Sequence, residues 1–371
     1  MRLMLRILAL ACTVASGLVL AAWVVGRVLT DQFAWSQVIF WVPTEVALGA
    51  ATVLWLVAVG LAWMGGTKWG RWRRRVVLAG LVLAWGYAAL VVWRLPNALS
   101  AGSTGADRSG LHVLNWNVSG VDKLEPVIAT LERTKPDLAV FVNPHMGVPW
   151  NRVYEAFGEP RALVQESGIL VVSRRSIRRY GMAWLGVPSP EGATGTRFDP
   201  GRALYFEVDA TAEVGRPIVV WVMDMPSDWR LARWESARRA EGAIAAWSGS
   251  EVRRDEMGNY SIGGEMSGFP TPDLIIGDMN APRGSGSLEQ IVGGMRSAFD
   301  EAGWGRSGSW PRRTPWLHLD QAFVGKGLLA REYRVFDAGA GTHRAQWVVL
   351  AGAVQAGGGH GPANAANAPR K

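Results

Sequence analysis

The residues best suited to chemistry lie at the end of a short apolar run, Asp273-Leu274-Ile275-Ile276-Gly277-Asp278-Met279-Asn280. Side chains two positions apart on a strand leave it in the same direction, so Asp278 and Asn280 would project together beyond Gly277. A carboxylate beside a carboxamide can hold a water and a phosphoryl oxygen. The same residue types also make an ordinary Asx turn, so the tetrapeptide alone leaves both readings open.

Positioning these groups requires a scaffold, and the pattern from Leu111 onward supplies one. His112–Val118 reads as a strand, Val121–Thr134 as an amphipathic helix and Leu138–Val142 as a second strand. Further strands are expected at Ile169–Val172, Ala203–Val208, Ile218–Met223, Leu274–Ile276, Gln321–Val324 and Gln346–Leu350. Arg230–Trp247 reads as a helix with arginines along one face. Mixed strands and helices over this length predict one α/β domain, a four-layer sandwich of two packed mixed sheets with outer helices.

Three apolar runs precede that domain: Ile7–Val25, Ala47–Met64 and Val76–Trp93. None carries an acid or a base, and each is long enough to cross a bilayer as a helix. The organisation expected is an anchor of three transmembrane helices over residues 1–96, a linker over 97–110, the domain over 111–352 and a disordered tail over 353–371, low in complexity from Gly357. Lys68, Arg71, Arg73, Arg74 and Arg75 crowd the second connection, and Arg2 and Arg6 flank the first span. The positive-inside rule then places the N-terminus in the cytoplasm and the domain outside the inner membrane.

The chain's formal charge is +8, of which residues 1–106 hold +7. The domain is therefore nearly neutral, which argues against long nucleic acid as its partner. Cys12, the sole cysteine, falls in the first span, so the domain has neither disulfide nor thiol chemistry.

The order of segments resembles the endonuclease/exonuclease/phosphatase, or DNase I-like, superfamily, and the preceding spans resemble its membrane-attached bacterial branch. Five pieces carry the likeness: Leu114-Asn115-Trp116-Asn117-Val118, Ser167-Gly168-Ile169-Leu170-Val171-Val172-Ser173-Arg174, the Gly277-Asp278-Met279-Asn280 turn, Leu319-Asp320-Gln321-Ala322-Phe323-Val324, and His343. The resemblance implies metal-assisted phosphoester hydrolysis with Mg²⁺ or Mn²⁺. It makes Asp278 the residue that orients or activates water and Asn280 a phosphate ligand. Asn117 would support the metal and substrate, and His343 would be the catalytic imidazole oriented by Asp320. Asp278 and His343 are both expected on exposed strand-end turns.

The departures from that family are equally specific. Asn143 stands where the family has its metal-ligating Glu, Thr342 where an Asp precedes the closing His, and Asp224 where a mid-domain His is usual. Asn143 and Asp224 are the candidate metal ligands that remain. An amide contributes no charge to a hard cation, so weak metal binding is expected. His145 with Asp224, Asp278 and His343 forms an alternative set, suited to Mn²⁺ or Zn²⁺. Two functions remain: a membrane-bound hydrolase acting on a small or lipid-borne phosphoester, and a catalytically degraded module that binds a phosphate ligand.

Overall fold

A computed structural model describes residues 1–66, 71–101, 109–145, 147–158, 162–188, 199–255 and 259–353. Residues 102–108 of the expected linker and the tail beyond residue 353 lie outside the described residues.

In chain order the strands are β1 (Leu111–Asn117), β2 (Leu138–Val142), β3 (Ala162–Glu166), β4 (Ile169–Ser173), β5 (Ile177–Trp184), β6 (Arg202–Val208) and β7 (Ile218–Asp224). They continue with β8 (Ser250–Arg254), β9 (Tyr260–Glu265), β10 (Leu274–Asp278), β11 (Arg296–Ser297), β12 (Asp320–Val324), β13 (Leu328–Phe336) and β14 (Ala345–Gly352). One sheet has the order β13-β14-β1-β2-β4-β3 and the other β11-β12-β10-β7-β6-β5-β8-β9. Both are mixed: β1 pairs in parallel with β2, and β10 with β7.

Strand periodicity divides each central strand between two apolar layers. Val113, Val140, Val220 and Ile276 face inward and fill the core between the sheets. Trp116 and Phe141 face outward under the helices Glu125–Thr134 and Asn151–Phe157. Met223 and Ile275 face outward on the other side, under the helix Arg233–Ala245. The four-layer α/β sandwich expected from sequence is the observed architecture. The helix expected at Arg230–Trp247 is shorter, and its arginines do not share one solvent face. Arg233 is buried, while Arg238 and Arg239 are exposed and pair with Glu235.

The anchor comprises α1 (Arg2–Leu29), the short α2 (Ala34–Phe40), α3 (Thr44–Met64) and α4 (Arg71–Tyr87), which runs on through a π-helical turn at Ala88–Val92. Helices α1, α3 and the α4 unit are long and apolar enough to cross a membrane. Helix α2, absent from the sequence expectation, joins anchor to domain. The Gln37 side-chain amide donates to the carbonyls of Trp229 and Leu231, and its oxygen accepts from the Arg233 N–H. Asp31 accepts from Ser287, Arg94 pairs with Asp300, and the Asn97 amide reaches the Gly303 carbonyl. Asn97 begins a short helix, Asn97–Ala101, inside the segment expected to be linker.

Candidate active site

The inner-facing positions that bury apolar side chains along β6, β7, β10 and β12 turn polar at one end of the sandwich. Register sets Arg202 of β6 opposite Asp224 of β7, Asp224 opposite Asp278 of β10, and Asp278 opposite Asp320 of β12. The last tier of the core is thus a row of one guanidinium and three carboxylates. From the opposite sheet, Asn117 at the end of β1 faces this row, and its amide donates to Asp278 Oδ2 at 2.8 Å.

Gly277 permits the close approach of β10 to β7. It sits at φ +142°, and a Cβ there would collide with the Met223 carbonyl. The chain then turns through Asn280 at φ +45°, a left-handed conformation that Asn tolerates. In this turn the Asn280 N–H donates to Asp278 Oδ1 at 2.9 Å, and its side-chain amide donates to the Met225 carbonyl. Asn280 thus spends one of its two side-chain N–H groups on the scaffold, leaving the other and its carbonyl oxygen for a ligand.

His343 completes the cluster. Its Nδ1 is 2.8 Å from Asp320 Oδ2, and its Nε2 lies 3.8 Å from Asp278 Oδ2. That second separation is too long for a hydrogen bond, so both atoms face one gap that a shared oxygen could bridge. Asp278, Asp320 and His343 bring possible ligand atoms within 4.8 Å of one another. None lies on an exposed turn: Asp278 is 1% exposed, Asp320 0% and His343 6%. The exposed placement expected from sequence is overturned: Asp278 ends β10 inside the sandwich, and His343, in the bend just before β14, turns its ring inward onto Asp320.

Burial sets the electrostatics. Desolvation, reinforced by the charge of Asp320, pushes Asp278 up to about 6, against the opposing pull of His343. Desolvation raises Asp224 to about 7, although Arg202 opposes it. Burial pulls His343 down, but the charges of Asp320 and Asp278 outweigh it and lift the imidazole to about 9. At neutral pH the cluster is an imidazolium held between two carboxylates.

The expected metal ligands Asn143 and Asp224 are engaged elsewhere. Arg202 Nη2 donates to Asn143 Oδ1 at 2.7 Å, and Arg202 Nε donates to Asp224 Oδ2 at 2.9 Å. The same guanidinium also reaches Asp199 and the Ser167 carbonyl, lying against Gly168 where any Cβ would meet it. The sequence pattern starts this strand at Ala203; it begins at Arg202, whose place in the site follows from the pairing of β6 with β7. His145 stays exposed on its loop, accepting from the Gly147 N–H, and does not join the cluster. Thr342 lies at the surface, its hydroxyl on the Ser119 carbonyl.

These partners decide whether a divalent cation fits. Both oxygens of Asp278 accept amide N–H groups, while the imidazolium of His343 turns its Nδ1–H onto Asp320 and its Nε2–H toward Asp278. Asp320 Oδ1 is the one carboxylate oxygen of the three without a hydrogen bond, and it is fully buried. A hard divalent ion needs several free oxygens, so it does not fit until Arg202 or the His343 proton gives way.

Fold and site together define a two-sheet α/β sandwich with a carboxylate–imidazole cluster at its mouth. The chain belongs to the endonuclease/exonuclease/phosphatase family, whose model matches residues 114–347. Among solved structures it is similar to a mannosyl-6-phosphatase of Bacteroides thetaiotaomicron, at 15% identity over 65% of this chain and 99% of that one, TM-score 0.47. It is also similar to an endonuclease/exonuclease/phosphatase of Beutenbergia cavernae, at 14% identity over 66% and 72%, TM-score 0.43. TDP2 of D. rerio, solved with a single-strand DNA product, matches at 12% identity over 65% and 99%, TM-score 0.45. No curated protein matches the sequence.

Proposed function

We propose that this chain is a membrane-anchored phosphoester hydrolase whose domain lies outside the cytoplasm and binds divalent metal weakly. The supporting observation is the gap between His343 Nε2 and Asp278 Oδ2, flanked by Asn117 and Asn280. In this reading a water held by Asp278 attacks phosphorus and its proton passes to the carboxylate. The new P–O bond forms as the P–O bond to the leaving alcohol breaks, and the leaving oxygen takes the Nε2 proton of His343. Asp320 keeps the imidazole oriented and charged. The extracytoplasmic side rests on the basic second connection, and a reporter fused after Leu350 should be active only in its extracytoplasmic form.

The catalytic test is hydrolysis of bis(p-nitrophenyl) phosphate and p-nitrophenyl phosphate by the full chain in detergent, with and without chelator. His343→Ala should lose about 10²–10⁴-fold, and adding Asp278→Asn should remove little more, since groups acting on one transition state are non-additive. Activity that survives the double substitution refutes this mechanism. The engagement of Asn143 and Asp224 by Arg202 favours a second reading, a module that binds phosphate without turnover. Saturable phosphate binding by an inactive parent would establish it.

A further inference from the structure

Where the anchor meets the domain, a cleft of about 160 Å³ is lined by Arg27, Trp41, Tyr87, Arg283 and Arg306, among others. Its charges are unbalanced. Arg283 and Arg94 share Asp300, and Arg306 pairs with Glu45. Among the described residues Arg27 forms no ion pair; Glu45, in the same cleft wall, is bound to Arg306 and reaches Arg27 only through its longer-range field. Its guanidinium packs over the rings of Phe40 and Trp23, and its Nε is buried without a hydrogen-bond partner. The indole N–H of Trp41, in the same cleft, is buried and unpartnered as well.

At Arg27 and Tyr87 this polar cleft passes into an apolar groove of about 440 Å³ between α1 and α4, walled by Leu20, Trp23, Val28 and Leu83. The groove faces outward from two helices long and apolar enough to span a membrane. A half-buried cation that forms no ion pair, with its Nε buried and unpartnered, marks at the end of a span a site for a ligand that brings negative charge. The ligand must be apolar at one end and anionic at the other.

We propose that groove and cleft together bind one anionic phospholipid, an acyl chain lying between α1 and α4 and the phosphate meeting Arg27 and the Trp41 N–H. Basic pockets at the membrane boundary select such headgroups by charge. The headgroup would sit beside the loops that flank the catalytic strands, since Arg283 follows Asn280 by three residues and His318, also in the cleft wall, precedes Asp320 by two. Binding of this lipid does not depend on whether the cluster at the mouth turns over.

The test is native mass spectrometry of the full chain in neutral detergent, titrated with phosphatidylglycerol and with phosphatidylcholine of the same chains. Phosphatidylglycerol should bind at least tenfold tighter. Arg27→Gln should erase that preference, whereas Arg27→Lys should keep part of it. Leu83→Trp alters a residue that is 74% exposed, so it fills the groove without touching the core, and it should weaken both lipids. Equal affinity for the two lipids, or a preference that survives Arg27→Gln, overturns the proposal. So does competition by glycerol phosphate at the lipid's own concentration, which would reduce the site to an anion pocket.

Discussion

Arg202→Met is the most informative single perturbation, because it removes the group that stands where a metal ion is expected. It strips the guanidinium from Asp224, Asp199, Asn143 and the Ser167 carbonyl at once. Removing one member of a buried ion pair costs about 3–5 kcal/mol, because the other charge is left uncompensated. For a domain of this size that corresponds to roughly 10 °C in melting temperature. The loss should depend on pH in a definite direction. Native Asp224 titrates near 7 against an ordinary 3.8, so between those values the folded state holds a proton that the unfolded chain releases. Stability therefore falls as pH rises through that window, by about 4 kcal/mol in total. Without Arg202 the carboxyl should hold its proton to still higher pH, so the loss should be markedly larger at pH 8 than at pH 5, where only the bonds to Asp199, Asn143 and the Ser167 carbonyl are missed. The same change frees Asp224 and Asn143 for a cation. At a Mg²⁺ concentration ten times its Kd, stabilisation should be about 1.4 kcal/mol, or a few degrees. Scanning fluorimetry of the full chain in detergent reads all three effects. A loss that is the same at pH 5 and pH 8, or a parent that responds to Mg²⁺ as strongly as the variant, refutes the assignment of Arg202.

Asn143→Asp alone should leave Mg²⁺ binding weak, since the new carboxylate would pair with Arg202; combined with Arg202→Met it should tighten binding by calorimetry. The rate of phosphoester hydrolysis should follow a bell in pH, rising as Asp278 deprotonates near 6 and falling as His343 deprotonates near 9. In His343→Ala the alkaline limb should vanish from any residual rate, and its persistence would remove His343 from the mechanism. Gly277→Ala should prevent folding or lower the melting temperature by more than 10 °C, since its Cβ has no room against the Met223 carbonyl. A normal melt would contradict the described approach of β10 to β7.

Much of this was legible locally. The alternation of Ile218–Met223 and Leu274–Ile276 gives the inner face of each strand, and continuing that count by one step places Asp224 and Asp278 at the mouth of the sandwich. His343 and Asp320 were readable through the family likeness. Arg202 was not, because its role depends on β6 pairing with β7, a register fixed by contacts between segments and not by either one. Strands β5 and β9 lack a local signature for a different reason. Ile177–Trp184 carries Arg178, Arg179 and Gly181, and Tyr260–Glu265 has no buried residue, so neither shows the alternation that marks a half-buried strand. The contacts of Asp31 and Gln37 lie about 200 or more positions away in sequence, and nothing local marks them.

The docking of the anchor onto the domain also sets how the protein searches for its targets. Gln37, Asp31 and Arg94 fasten the anchor to the segments that follow β7 and β10 and precede β12, so the domain is not a head free on a leash. A tethered head sweeps a volume set by its linker, and meets dissolved targets at a rate set by their bulk concentration. A clamped one keeps its site at one distance and one orientation relative to the anchor helices. If the proposed hydrolase takes a lipid-borne phosphoester, the number that governs encounter is copies per unit area of membrane, and diluting the vesicles should leave the rate per vesicle unchanged.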